Sequence, residues 1–314
     1  MAKTDEYDFS QVSVVLFYST LGMRRTLRDA FGNMKIRKIR DCRDLAVARD
    51  TVVNIKPDIL FLDLDKNQDA VCTLIDDIRH SNVGANPFMV IMLVTWDSEE
   101  LSIAEAMRAG ADDIVSMPVS INVLKARIEN MIRNRKQFIV TSQYVGPERR
   151  EHERSRTSSG NDIGTIVVPN SLRHKAAGDT EAAVDAEVIE DANKLVNQHM
   201  LHRMMTELSQ LATDLEAQVK GRDHIDIPDE TLGHMSDLLS TITNHIDTKG
   251  YNNMKGLAES MNRVMNLILA TPDPSAKMFQ ILKLHGQAIG ATLWDKDGAA
   301  DMVVNALKTA VENS

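Results

Sequence analysis

The chain is poor in cysteine and in long apolar runs. Only two cysteines, Cys42 and Cys72, occur in its 314 residues, too few for a disulfide framework or a zinc site. We expect both to be reduced thiols, as in cytoplasmic proteins. The longest unbroken apolar run covers residues 88–94, far short of the ~20 residues that a membrane-spanning helix needs. The first ten residues lack the apolar core of a signal peptide, so the sequence predicts a cytoplasmic protein without membrane contact.

Aromatic residues are also scarce, and the charge is unevenly distributed. Aromatics make up 4% of the chain, whereas methionine occurs 17 times. Residues 1–137 hold 19 basic and 20 acidic residues, but residues 179–314 hold 11 basic and 21 acidic residues. Because phosphate contacts need clustered Lys and Arg, such an acidic C-terminal part argues against nucleic-acid binding there. We therefore expect no nucleic-acid partner.

The first 137 residues alternate short apolar runs with amphipathic stretches. The apolar runs are rich in Val, Ile and Leu and do not alternate with polar residues, as is typical of strands buried on both faces of a parallel sheet. They cover residues 12–18, 35–39, 59–62, 88–94 and 113–116, with helical patterns at 21–32, 44–55, 69–81, 98–109 and 120–136. This order predicts a doubly wound five-stranded α/β domain over residues 10–137.

The rest of the chain reads as a linker followed by helices. Residues 138–180 contain little periodicity and predict a linker with short docking segments. Residues 181–314 have apolar spacings of 3 and 4, which predict an all-α bundle with helices over about 181–220, 229–247, 251–270, 275–293 and 297–312.

A heptad-like seam follows the first of these helices. Its apolar residues step by 3, 4, 3 and 4; they are Leu201, Met204, Leu208, Leu211 and Leu215. Two alternatives stay open for this seam. It is either part of the bundle core or the interface of a homodimer.

The strongest local signals lie where predicted strands end. The segment KPDILFLDLD (56–65) places Asp63 at the carboxyl end of the third strand, and VIMLVTW (90–96) places Thr95 at the end of the fourth. Ligands gather at this edge in open α/β sheets. Together with AGADDIVSMP (109–118), these segments resemble, in the right order, the receiver domain of bacterial response regulators.

That resemblance implies a two-component signalling role. It implies that Asp63 is the phosphoacceptor for a partner histidine kinase and that Thr95 contacts the phosphate. The resemblance covers residues 10–137, and other signalling proteins, such as a kinase or another regulator, are the partners that it implies.

Four positions depart from the pattern of the resembled family. Two Mg²⁺-binding acidic residues are replaced by Tyr18 and Ser19, which are poor ligands for a hard cation. The lysine before the proline is replaced by Met117, and the aromatic switch residue by Ile114. Since phosphoryl transfer depends on charge neutralisation, we expect a pseudo-receiver without a cofactor. Mg²⁺ enters only under the alternative that Asp63 is phosphorylated after all.

Two basic segments are candidate partner surfaces. One is the predicted fifth helix and the other is the motif YVGPERR (144–150), and their candidate residues are Lys125, Arg127, Arg133, Arg149 and Arg150. Clustered positive charge favours an acidic partner. The alternative is that the helix presents an ordinary solvated face and that residues 144–150 form a turn with solvated charges.

The helical part offers one loose resemblance and no enzyme signature. NHIDTKG (244–250) is similar to a histidine phosphotransfer motif around His245, but Lys249 falls one residue too late. Phosphate-binding glycine loops, nucleophile elbows and HExxH helices do not occur. We therefore expect an adaptor rather than an enzyme. The alternative is a response regulator that is phosphorylated at Asp63 and signals through a helical output that does not bind DNA.

Overall fold

The structure, a computed structural model, describes residues 7–96, 100–149, 165–178, 184–220 and 227–294. The chain divides into two compact units between Val196 and Asn197.

A five-stranded parallel sheet forms the centre of the first unit. Its strands are β1 (Ser13–Phe17), β2 (Lys38–Cys42), β3 (Ile59–Asp63), β4 (Val90–Thr95) and β5 (Asp113–Ser116), arranged in the order β2-β1-β3-β4-β5. Every residue of β1, β3 and β4 is buried, which explains their unbroken apolar sequence. The predicted doubly wound five-stranded fold is confirmed, and the structure gives its strand order as 2-1-3-4-5.

Five helices cover the two faces of this sheet. They are α1 (Leu21–Asn33), α2 (Leu45–Ile55), α3 (Gln68–Arg79), α4 (Glu100–Arg108) and α5 (Ile121–Arg133). Two separate hydrophobic layers result, one on each face. The strand β2 begins at Lys38, three residues later than the start of the predicted run 35–39. The delay arises because Lys35 adopts a φ of 67° and the amide of Ile36 still donates to the Phe31 carbonyl of α1.

The predicted linker is where the structure differs most from the sequence analysis. Within residues 138–180 it contains β6 (Phe138–Val140), β7 (Val145–Pro147), β8 (Thr165–Ile166) and α6 (Ser171–Ala177). The three strands form an antiparallel sheet in the order β7-β6-β8. Strands of two or three residues are too short to leave a periodic pattern, so this segment reads as irregular in the sequence.

We call β6, β7, β8 and α6 the extension. Buried charged side chains attach the extension to the receiver-like sheet. The ring of Phe138 is fully buried and lies 5.1 Å from the guanidinium of Arg79 and 5.4 Å from that of Arg135. Both cations pair with Asp112, at 2.7 and 3.4 Å. Burial lowers the pKa of Arg79 to about 10 while Asp112 opposes the shift, so the guanidinium is charged at neutral pH. The extension is therefore part of the folded unit.

The helix α6 makes a second attachment at the same edge of the sheet. Its Lys175 ammonium lies 2.8 Å from the buried carboxylate of Asp58, which also accepts the amide and hydroxyl protons of Ser13. Leu172 is fully buried within the hydrophobic layer that contains α1 and α5. Ser13 is the first residue of β1, and Asp58 directly precedes β3. The extension therefore covers the amino-terminal edge of the sheet.

The second unit is a helical bundle. It contains most of α7 (Ala186–Val219), followed by α8 (Asp229–Thr248), a 3-10 turn (Asn252–Met254), α9 (Lys255–Ala270) and α10 (Ala276–Trp294). His234 of α8 meets Glu207 of α7 at 3.0 Å, and His285 of α10 meets Ser260 of α9 at 2.9 Å. A helical region after the sheet is confirmed. The predicted helix over 297–312 lies outside the described residues.

The heptad-like seam of α7 lies inside this bundle. Leu201, Met204 and Leu208 are fully buried and Leu215 is 2% exposed, while Leu211 is half-buried. Side chains that pack within their own chain are not available to a second copy in this arrangement. This burial favours the bundle core for the seam, and the homodimer alternative stays a prediction.

Burial also contradicts phosphotransfer at His245. Its imidazole is 6% exposed, its Nε2 lies 3.2 Å from the carbonyl oxygen of Asn197, and its ring stacks on Tyr251. A phosphotransfer histidine must present a ring nitrogen to its partner. His245 is instead a packed core residue.

The clamp around Phe138 generates a stability prediction. We expect Phe138→Ala to lower the free energy of unfolding of the first unit by about 3–5 kcal/mol, because it removes a buried ring and its cation contacts. Urea titration of the full chain measures this change. Val167→Ala, on a side chain 76% exposed in the same extension, is the control and should change little. Equal stability of both variants would show that the clamp does not hold the extension.

Buried histidine makes the bundle sensitive to pH. His285 is 1% exposed; its Nδ1 donates to the Ile281 carbonyl, and Nε2 accepts from Ser260. Burial lowers its pKa from 6.5, so stability is full above pH 6.5 and falls as pH drops below that value. We expect His285→Gln to reduce this pH dependence in urea titrations at pH 7.5 and 5.5. Part of it should persist, since burial also lowers the pKa values of His199 and His202. An unchanged pH slope in the variant would contradict the assignment.

Candidate functional site

The carboxyl edge of the parallel sheet brings the sequence-predicted residues together. Asp63 ends β3, Thr95 ends β4, and Tyr18 and Ser19 follow β1 directly. Met117 follows β5, so all these residues surround the place where ligands bind in doubly wound folds. The geometry of this edge decides what Asp63 can do.

The carboxylate of Asp63 is buried, and both of its oxygens are held by backbone amides. Its exposure is 1%. The Ser19 amide donates to Oδ2 at 3.0 Å, and the Asp65 amide donates to Oδ1 at 3.3 Å. Burying a charge is costly unless hydrogen bonds compensate, and these two amides supply that compensation. Asp63 is therefore a buried carboxylate bound by backbone amides, and it is not bonded to Thr95.

The side chain of Arg24 binds the peptide group that contains the Ser19 amide. The guanidinium of Arg24 donates to the Tyr18 carbonyl at 2.7 Å and to the Ser19 carbonyl at 3.2 Å. The Tyr18 carbonyl and the Ser19 amide belong to the same peptide group, whose dipole therefore runs from the Arg24 cation to the Asp63 anion. This alignment strengthens both hydrogen bonds. It also fixes the loop after β1 in the orientation that closes on Asp63.

Thr95, which the resemblance assigns to the phosphate, contacts the carboxylate of Asp65 in this structure. Its hydroxyl donates to Oδ1 of Asp65, and the neighbouring Trp96 amide donates to Oδ2 of Asp65 at 2.9 Å. The strand-end hydroxyl is thus turned toward the loop after β3. It is not positioned on Asp63.

Tyr18 and Trp96 join across the end of the sheet. The indole Nε1 donates to the Tyr18 hydroxyl at 2.9 Å. Burial raises the pKa of Tyr18, and the nearby charges of Asp63 and Asp65 raise it further, so the phenol stays protonated at neutral pH. Tyr18 is 5% exposed, whereas Trp96 is 54% exposed. An uncharged phenol therefore occupies the position that the resemblance assigns to a metal-binding carboxylate.

The remaining departures from the receiver pattern are apolar packing residues. Met117 packs against the hydrophobic layer on the α1 and α5 face, and Ile114 packs against the opposite layer. A thioether in such a layer cannot neutralise a phosphoryl group. Both positions serve the cores that hold the sheet.

The predicted basic surface on α5 is largely neutralised within the chain. Arg127 holds both carboxylate oxygens of Asp113, at 2.8 and 3.0 Å. Lys125 and Arg133 both approach Glu129, at 3.8 and 3.3 Å. Surface pairs of this kind contribute little stability, but they reduce the net charge that a partner would meet. The acidic partner of α5 stays a prediction, and it would meet a surface of reduced net positive charge.

The described residues of the motif YVGPERR contact one another and the end of α4 with the turn that follows it. Arg149 donates to the carbonyl oxygens of Met107 and Ala111, and the Tyr144 hydroxyl donates to the Pro147 carbonyl at 2.9 Å. Arg149 therefore docks within its own unit. Arg150 lies outside the described residues.

Sequence reasoning missed two of the residues that shape this site. Arg24 occurs in a Met23-Arg24-Arg25 segment that fits the resemblance, but nothing in that segment indicates its contacts to the β1 loop. Trp96 carries no signal beyond its place after Thr95. Within the described ranges, no group of three or more His, Cys, Asp or Glu side chains is arranged to hold a metal ion. No helix among those ranges is long and apolar enough to span a membrane.

Solved structures similar to this chain cover its N-terminal part. A response-regulator receiver domain from Bermanella marisrubri aligns with 38% of this chain and 98% of its own, at 17% identity and a TM-score of 0.35. A chemotaxis protein of Vibrio cholerae aligns with 38% of this chain and 97% of its own, at 12% identity and a TM-score of 0.34. A pilus assembly-related protein from Burkholderia pseudomallei aligns with 40% and 91%, at 18% identity and a TM-score of 0.35.

No family model matches the chain, and no curated protein matches its sequence. The strand order and the five flanking helices define the fold. The five strands and five helices within residues 10–137 have a receiver-like fold. In this receiver-like domain, the phosphoacceptor position is a buried carboxylate with both oxygens engaged.

Those two hydrogen bonds generate a prediction about Asp63. We expect Asp63→Asn to lower the free energy of unfolding by about 1–3 kcal/mol, because the amide group turns an N–H donor toward one of the two backbone donors. Urea titration measures the change, with the exposed Asp29→Asn on α1 as the control. If both variants were as stable as the parent chain, the two amides would not be holding an ionised carboxylate.

Proposed function

We propose that this protein is a signalling adaptor whose receiver-like domain binds a partner without Mg²⁺-dependent phosphorylation of Asp63. The observation that carries the proposal is that the carboxylate of Asp63 is buried and that both of its oxygens are hydrogen-bonded. Asp63 is 1% exposed, and its two oxygens accept the amide protons of Ser19 and Asp65.

The chemistry of phosphoryl transfer supports this reading. The attacking oxygen must be free to lie in line with the leaving group, and a metal ion and a cation must neutralise the developing charge. Here the metal-binding positions of the resembled family are Tyr18 and Ser19, and Met117 stands in place of its lysine. Losing these groups should lower the rate by orders of magnitude.

The signalling part of the proposal rests on the ordered resemblance of three segments, which end in Asp63, Thr95 and Pro118. A domain of this kind recognises a histidine kinase or another regulator, and a helical bundle passes that contact onward. The second candidate function is phosphorylation at Asp63 with output through the bundle. It is favoured by one observation, the place of Asp63 beside Asp65 at the carboxyl end of β3.

Acetyl phosphate distinguishes the two functions. We expect no mass increase when the full chain is incubated for hours with acetyl phosphate and Mg²⁺ and its intact mass is measured, because Asp63 is closed. A receiver domain that accepts phosphate from this reagent runs beside it as the positive control. A gain of one phosphoryl group that disappears in Asp63→Ala would overturn the adaptor proposal and make Asp63 the switch.

A further inference from the structure

The strongest concentration of positive charge lies on the strand β2 and the turn before it. Residues 35–43 hold one acidic residue, Asp41, and five basic residues, namely Lys35, Arg37, Lys38, Arg40 and Arg43. We call these five residues the β2 strip. Residues 1–137 as a whole carry nearly balanced charge, so the strip is a local excess.

The charges of the β2 strip are poorly neutralised, in contrast to those of α5. Arg43 pairs with Asp44 at 3.3 Å. Arg37 and Arg40 are exposed, and among the described residues neither forms an ion pair with a carboxylate. The Lys38 ammonium contacts the neutral side chain of Gln11 at 2.8 Å. Asp41 is already paired with Arg28 of α1, at 2.7 Å. The strip therefore retains most of its positive charge.

The same strip lies along an open edge of the sheet. β2 is the first strand in the order β2-β1-β3-β4-β5 and pairs with β1 on one side. The other side of its five residues presents backbone N–H and C=O groups that no strand of the sheet satisfies. An extended peptide can add to such an edge through main-chain hydrogen bonds, while alternate side chains supply specificity.

Charge selects among the strands that could add to this edge. Two copies of β2 would set Lys and Arg against Lys and Arg, and like charges across strands are destabilising. An acidic strand would set carboxylates against Lys38 and Arg40. We propose that the β2 edge binds an extended acidic segment of a partner protein as a sixth strand. This inference does not depend on the chemistry at Asp63.

The simpler reading is that the basic residues only protect the edge from aggregation. Protection requires repulsion between copies but no affinity for acidic strands. The proposal therefore makes a demand that edge protection does not, which is binding that needs both carboxylates and free backbone amides on the ligand.

A synthetic peptide tests both requirements on the full chain. The probe is about eight residues long, enough to span one strand, alternates glutamate with valine or threonine, and carries a fluorophore for anisotropy. We expect saturable binding that weakens with salt, and protection of the β2 amides from hydrogen exchange. A peptide with lysine in place of glutamate should not bind. The same peptide N-methylated on alternate residues should lose binding in one of its two methylation registers, because one edge of an added strand must donate to β2.

Matched variants locate the site on the protein. Arg37→Glu/Arg40→Glu should weaken peptide binding at least tenfold. Lys66→Glu/Arg108→Glu makes the same change in net charge at exposed positions away from β2 and should preserve binding. Equal affinity of the two double variants, or undiminished binding of both methylated peptides, would overturn the proposal. Tighter binding of a single-stranded oligonucleotide than of the acidic peptide would also overturn it, and so would salt-resistant self-association through β2.

Discussion

The carboxyl edge of the sheet is organised around the buried negative charge of Asp63. An ionised carboxylate at 1% exposure is tolerated only when hydrogen bonds replace its hydration. The Ser19 and Asp65 amides do so, and this requires the loops after β1 and β3 to turn inward. Arg24 fixes the first of these loops. The Ser19 and Asp65 amides therefore both stabilise the charge of Asp63 and enclose its carboxylate.

A second buried charge organises the opposite edge. The guanidinium of Arg79 is completely buried and donates to the carbonyls of Pro87, Met89 and Gly110 as well as to Asp112. A planar cation with donors in a fixed fork gathers such acceptors more rigidly than an ammonium could. The ring of Phe138 covers it, so the segment after α5 must fold back onto the sheet. The hydrogen-bond acceptors of Arg79 all precede α5, and the extension adds the ring that shields this cation from water.

These two edges show what the sequence could and could not predict. Strands with both faces buried are mostly apolar, so the sequence predicted β1, β3 and β4. It thereby also predicted that Asp63 and Thr95 lie at the ends of β3 and β4. The extension was not predicted, because strands of two or three residues depend on long-range contacts such as that of Phe138 with Arg79. The partner of Thr95 was equally hidden, since Asp63 and Asp65 are only two residues apart and loop geometry decides which of them Thr95 contacts.

The same reasoning separates two basic surfaces that look alike in the sequence. On α5, positive charge is neutralised by Glu129 on the same helix and by Asp113, which reaches Arg127 from the neighbouring strand. On β2, Asp41 is engaged by Arg28 of α1 instead, and Asp44 pairs with Arg43 alone. Recognition depends on the charge left after internal pairing, because only that charge contributes a long-range field. Among the described residues of the first unit, the basic surface that keeps most of its charge is therefore the edge strand β2 rather than the helix α5.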